Sequence, residues 1–78
     1  MITESEDVPI PAHLVEQIKG ARIKARLSQD ELAALASISR RPIYLLESGR
    51  GAIRVDTLIK ILDALGLVLS IQPKGPSL

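Results

Sequence analysis

The stretch SQDELAALASISRRPIYLLE, residues Ser28 to Glu47, decides the fold. It reads as two short helices joined by a tight turn. Leu32, Ala33, Leu35 and Ala36 form the apolar stripe of the first, and Ile43 and Leu46 that of the second. Ser28 followed by Glu31 is a capping box, in which the hydroxyl accepts from a third-residue N–H while the carboxylate accepts from the serine N–H. A second capping serine, Ser39, comes three residues after Ala36. A break that short forces the second helix to cross the first steeply, as in a helix-turn-helix. Ala33 and Ala36 are small enough for close approach, and Ile38 is an apolar plug in the turn.

Composition bounds what can be built around this unit. With 78 residues there is room for one domain whose single core is marginal alone. Apolar residues make up 46% but aromatics only 1%, so the core must be aliphatic, and such a small core often needs a partner subunit. The absence of cysteine excludes a disulfide or a thiolate metal site and fits a reducing cytoplasm. No apolar run approaches the roughly 18 residues that span a bilayer, and the acidic N-terminus is unlike a signal peptide, so no membrane role is expected.

Net charge is only +1, but its distribution is uneven. Glu4, Glu6 and Asp7 lie in the leading segment. Lys19, Arg22, Lys24, Arg26, Arg40, Arg41, Arg50 and Arg54 face only Asp30, Glu31 and Glu47 in the window 19–54, a local excess of five cations. That is either a basic face for nucleic acid or a solvated surface, and the helix-turn-helix favours DNA.

Residues 1–10 read as a disordered acidic tail closed by Pro9-Ile10-Pro11. Leu14, Ile18, Ala21 and Ala25 recur at helical spacing, predicting a helix from Ala12 to Arg26 with Pro11 at its opening. Gly20 inside it costs about 1 kcal/mol relative to alanine unless another helix packs close. Gly49 suits a left-handed helix stop. Val55, Leu58, Ile61, Leu62 and Leu65 then predict a last helix ended by Gly66, with Arg54 a poor cap that leaves Asp56 as an alternative start. Residues 11–66 thus form the DNA-binding domain.

Leu67-Val68-Leu69-Ser70-Ile71-Gln72 reads as one short strand ended by Pro73, before a tail over 73–78. A strand that short needs a partner, and no other strand is apparent in the sequence. Its own copy in a second subunit is the expected partner, through Leu67, Val68, Leu69, Ser70 and Ile71, with a frayed tail packed on the helices as the alternative.

In a helix-turn-helix the first turns of the second helix reach base edges in the major groove. Here those positions are Ser39, Arg40, Arg41 and Tyr44, with Leu45 at the outer edge. One of Arg40 and Arg41 is expected to fork onto guanine and the other to hold a phosphate; both clasping phosphates is the alternative. Tyr44 is a base or sugar contact, or else a half-buried filler. Ser28 and Gln29 open the preceding helix, whose free N–H groups suit a phosphate. Arg50 is a further phosphate candidate, while Lys24 and Arg26 are weaker ones, since such residues are more often just solvated. His13 is the only histidine, so no histidine-based zinc site or catalytic triad can form, and no Gly-rich phosphate loop follows a strand. The sequence argues against an enzyme and calls for no cofactor.

LSQDELA, ISR and the spacing of Ile43, Leu46, Glu47 and Gly49 together resemble the XRE (Cro/C1-type) helix-turn-helix regulators over roughly residues 14–66. The resemblance implies an all-α, lambda-repressor-like bundle of four to five helices, with the C-terminal strand pairing across a homodimer. It implies a DNA contact for Gln29 and a structural ion pair between Arg22 and Glu47. Two departures stand out. Ser37 replaces the usual turn glycine, where left-handed backbone costs about 1 kcal/mol, and Pro42 and Tyr44 replace small polar residues, so no operator sequence can be borrowed. The ending LDALGLVLSI is similar to that of HipB-type antitoxins, which implies a repressor that autoregulates its operon and binds a HipA-type kinase toxin. The alternatives are a stand-alone phage-type repressor or restriction-modification controller without a toxin and, from another class, a protein-docking module without DNA binding.

Overall fold

A computed structural model describes residues 7–50 and 52–70. The element order is β1 (Asp7–Pro9), α1 (Ala12–Lys24), α2 (Gln29–Ala36), α3 (Arg41–Glu47), β2 (Ala52–Arg54) and α4 (Val55–Ala64). The core is wholly aliphatic. Leu32, Ile43 and Ile61 are its most completely buried side chains, joined by Val15 and Ile18 of α1, Leu46 of α3, Ile53 of β2, and Leu58 and Leu62 of α4. Ile38 packs against it from the α2–α3 turn, as expected of a plug. Four expected core positions differ. Leu35 is exposed, because with Leu32, Ala33 and Ala36 facing inward it falls on the flank of α2. On α1 the buried pair is Val15 and Ile18, while Leu14 and Ala21 are half-buried and Ala25 lies past the helix end, exposed.

All four helices stop in the same way. Arg26, Ser37, Gly49 and Gly66 have φ of 60°, 59°, 73° and 71°. The following residue's N–H donates to the carbonyl five residues back: Leu27 to Arg22, Ile38 to Ala33, Arg50 to Leu45 and Leu67 to Leu62. This six-to-one bond satisfies an otherwise orphaned carbonyl at each helix end. At Arg26 it ends α1 at Lys24, two residues before the predicted stop. Two of the four stops use a residue with a Cβ, each at a cost of about 1 kcal/mol.

The expectation of disorder is overturned for residues 7–10, residues 1–6 lying outside the described residues, and so is the expectation of no strand besides the C-terminal one. Asp7–Pro9 pairs antiparallel with Ala52–Arg54 in the register Asp7↔Arg54, Val8↔Ile53, Pro9↔Ala52. Half-buried Val8 and buried Ile53 anchor the ribbon. The ordered domain therefore includes residues 7–10, ahead of the expected start at Pro11. The sheet formed by β1 and β2 does not include Leu67–Ser70. Leu67–Ser70 carry no strand assignment in the single chain, and Ile71, Gln72 and residues 73–78 lie outside the described residues. Val68 and Leu69 stay 87% and 58% exposed beside a groove of about 530 Å3 between α1 and α4. A methyl group at Gly20, which lines this groove, meets nothing within 4 Å, so within one chain the helix-interior glycine has no packing reason.

Candidate nucleic-acid interface

The interface rests on the Arg22–Glu47 pair. Arg22 Nε donates to Glu47 Oε2 at 2.6 Å and Nη2 to Oε1 at 2.9 Å, a two-pronged fork. Nη1 donates to the Leu27 carbonyl at 2.6 Å, so one guanidinium ties α1 to the end of α3 and to the α1–α2 turn. The two side chains are only 14% and 4% exposed. Burial pushes the Glu47 carboxyl up, but hydrogen bonds from Arg22 and Gln29, helped by the charges of Arg22 and Lys19, outweigh it and hold the group below its ordinary range. The hydrogen bond to Glu47 raises Arg22 in turn, against a smaller desolvation effect. The pair predicted from the resemblance is present.

Gln29 belongs to the same cluster: its Nε2 donates to Glu47 Oε1 at 3.1 Å. Nothing in the sequence announces this link across 18 positions. It leaves the Gln29 carbonyl oxygen and one amide hydrogen for other partners. At the start of α2 the capping box closes as expected, with Glu31 N donating to Ser28 Oγ at 3.0 Å and Ser28 N to Glu31 Oε1 at 2.7 Å. Hydrogen bonds from the Ser28 backbone and then its hydroxyl hold the Glu31 carboxyl low. Ser28 is thus occupied as a cap, and what the helix start offers outward is backbone N–H.

α3 begins one residue later than expected. Arg40, not Ser39, occupies the cap position, with φ −72° and ψ −27° and no side-chain cap bond. The Arg40 carbonyl accepts from Ile43 N and Tyr44 N, both at 3.0 Å. Pro42 then falls at the second helical position, among N–H groups that have no acceptor within the helix, so its missing donor costs little. Ser39 is exposed in the turn.

Arg40, Arg41 and Arg50 are exposed, and Tyr44 is 49% exposed. Arg40 Nε lies 3.8 Å from Asp30 Oδ1, a solvent-exposed contact of little strength. Arg41 and Arg50 have no ion pair among the described residues. Arg54 is different: its guanidinium grips Asp56 at 3.3 Å through Nε and Nη2, and Asp56 Oδ1 also accepts from Thr57 N. Those bonds, the one from Arg54 first, lower the Asp56 carboxyl. This also settles the start of α4 at Val55, with Arg54 as its uncapped lead residue. Of the eight cations in the window, Arg22 and Arg54 are internally matched, so the basic face is smaller than the sequence count suggests.

The helix-turn-helix family model matches residues 18–69, which span α2, α3 and their turn. The chain belongs to the XRE-type helix-turn-helix family. It is a helix-turn-helix transcriptional regulator, and its domain implies DNA binding. The chain is 29% identical over 68 residues to the uncharacterized HTH-type transcriptional regulator y4mF of Sinorhizobium fredii, covering 87% of this chain and 90% of that one. A chain of the HipA-HipB-O2-O3 complex superposes with a TM-score of 0.74 at 25% identity, covering 87% of this chain and 96% of that one. A toxin-antitoxin module from Streptococcus pneumoniae gives 0.68 at 27%, covering 80% and 72%. No described helix of this XRE-type regulator is long and apolar enough to cross a membrane.

Proposed function

We propose that this regulator is a dimeric, sequence-specific repressor and the antitoxin of a HipBA-like module, autoregulating its operon and binding a HipA-type kinase. The observation that carries the DNA part is the exposed first turn of α3, with Arg40, Arg41 and Tyr44, on a helix whose far end is fixed by the Arg22–Glu47 fork. In this reading one of the two arginines forks onto guanine while the other, with Arg50 and the start of α2 at Ser28 and Gln29, holds phosphates. Ser39 and Tyr44 line the same approach. Two copies joined through residues 67–71 present the two α3 helices to half-sites about 34 Å apart. The toxin part rests on the similarity to chains solved with HipA-HipB and in a toxin-antitoxin module.

Selection of bound sequences from random duplexes, followed by salt titration, tests the first part. The expected result is enrichment of a two-fold symmetric site, with affinity falling steeply as salt rises. No binding even at about 50 mM salt contradicts it. Co-expression with a kinase-like protein encoded beside this chain tests the second. A complex that copurifies supports the antitoxin reading, and its absence leaves the stand-alone repressor.

A further inference from the structure

We propose that Asp7 is a positioning residue that sets DNA specificity through Arg41. This rests on the DNA-binding reading above. The β1–β2 ribbon carries the N-terminal strand alongside the start of α3, so that Asp7, Arg41, Pro42 and Leu45 line one cleft of about 220 Å3 together with Arg54 and Thr57. Asp7 stands in register with Arg54, yet the Arg54 guanidinium is already gripped through two nitrogens by Asp56. Asp7 itself makes no ion pair within 4 Å among the described residues and is exposed. Arg41 is likewise exposed and unpaired among the described residues. A strand pinned by Val8 against Ile53 thus holds a carboxylate at a cleft whose lining also includes an exposed guanidinium.

A carboxylate there has two effects. It repels phosphates from the first turn of α3, weakening binding to any duplex regardless of sequence. Once a docked duplex excludes water from the cleft, it also attracts the Arg41 guanidinium, so the fork is drawn toward a base edge instead of following the nearest phosphate. Asp7 therefore lowers affinity for random DNA more than affinity for the cognate site.

Asp7→Asn keeps side-chain shape and removes the charge. Two probes are needed: a duplex selected on the wild-type chain, and a shuffled duplex of the same composition. Affinity for the shuffled duplex is expected to rise about fivefold, the size of one unit-charge repulsion at a few ångströms in water. Affinity for the selected duplex is expected to rise less, so the specificity ratio falls, while Asp7→Glu keeps the wild-type ratio. In an Arg41→Ala background the fall in ratio is expected to vanish, because the group Asp7 acts on is gone. A role confined to holding the ribbon would lower the melting temperature and leave the ratio alone. If the wild type binds its selected duplex and Asp7→Asn leaves the ratio unchanged, the inference is overturned and the DNA reading stands. A wild type that binds no duplex overturns both.

Discussion

The side of the molecule that carries Arg40, Arg41 and Tyr44 is held by polar bonds, whereas the groove between α1 and α4 is apolar and open. On the first side one buried carboxylate, Glu47, accepts from Arg22 and Gln29 and so ties three helices together. On the second, Val68 and Leu69 stand in solvent beside the space above Gly20. Bonds of fixed direction suit a surface that must keep arginines in register with a rigid duplex. Exposed apolar side chains next to an apolar groove on the same chain suit a contact in which two copies bury each other's surfaces, since a two-fold operation presents each lip to each groove.

The largest effect is expected where the polar side is broken. Glu47→Ala leaves a guanidinium nearly buried without its partner, which should destabilise the fold by about 3 kcal/mol and lower the melting temperature by more than about 10 °C. Replacing both partners, Arg22→Met with Glu47→Leu, should recover much of that loss, because no unpaired charge remains. The same pair sets an acid limit. The Glu47 carboxyl is depressed in the fold, so its contribution is fully present above the unfolded value of about 4.3 and is lost as pH falls through the lower folded value. Thermal melts between pH 7 and pH 3 should show that decline, and it should be shallower in the double replacement, where among the described residues only the depressed Glu31 and Asp56 carboxyls remain.

The apolar side should give next to the charge substitution Leu69→Glu. If Leu67–Ile71 join two copies, both lose a buried leucine worth about 1.5–3 kcal/mol, and the dimer dissociation constant should rise by more than about a hundredfold. Sedimentation across concentration measures this, and circular dichroism should show the single-chain helices unchanged. A wild type that sediments as a single chain throughout would leave the open groove without the occupant assigned to it.

The smallest effect sharpens the comparison from a third direction. Ser37→Gly relieves a left-handed residue in the α2–α3 turn and should stabilise by about 1 kcal/mol, raising the melting temperature by roughly 4–8 °C. Arg26→Gly should do the same at the end of α1. Equal gains at both turns are expected, because the two stops share one hydrogen-bond pattern.

What the sequence made legible follows the range of the interactions. The capping box at Ser28 and Glu31, the stops at Gly49 and Gly66, and the amphipathic last helix are written in residues within one or two turns of each other, and all are present. The Arg22–Glu47 pair spans 25 positions and was reached only through a family resemblance. The β1–β2 ribbon was missed because three-residue strands carry too little alternation to register, and Val8 and Ile53 become a pair only once the helices bring them together. Its absence from the reading made the C-terminal segment look like the chain's sole strand. Ser39 reads as a cap because its hydroxyl could still accept from the Arg41 N–H beside Pro42, but α3 starts at Arg41 with Arg40 in the cap position and no side-chain cap bond.

The central claim is that the first turn of α3 enters the major groove of DNA. Methylation interference at guanine N7 tests it most directly, because that atom lies on the major-groove edge where an arginine fork lands. On the selected duplex, methylation of one guanine in each half-site should block the wild-type chain. That interference should disappear in whichever of Arg40→Ala and Arg41→Ala removes the base-reading side chain. Binding that stays salt-sensitive but indifferent to every N7 methyl group would contradict the claim, leaving only a phosphate-held surface.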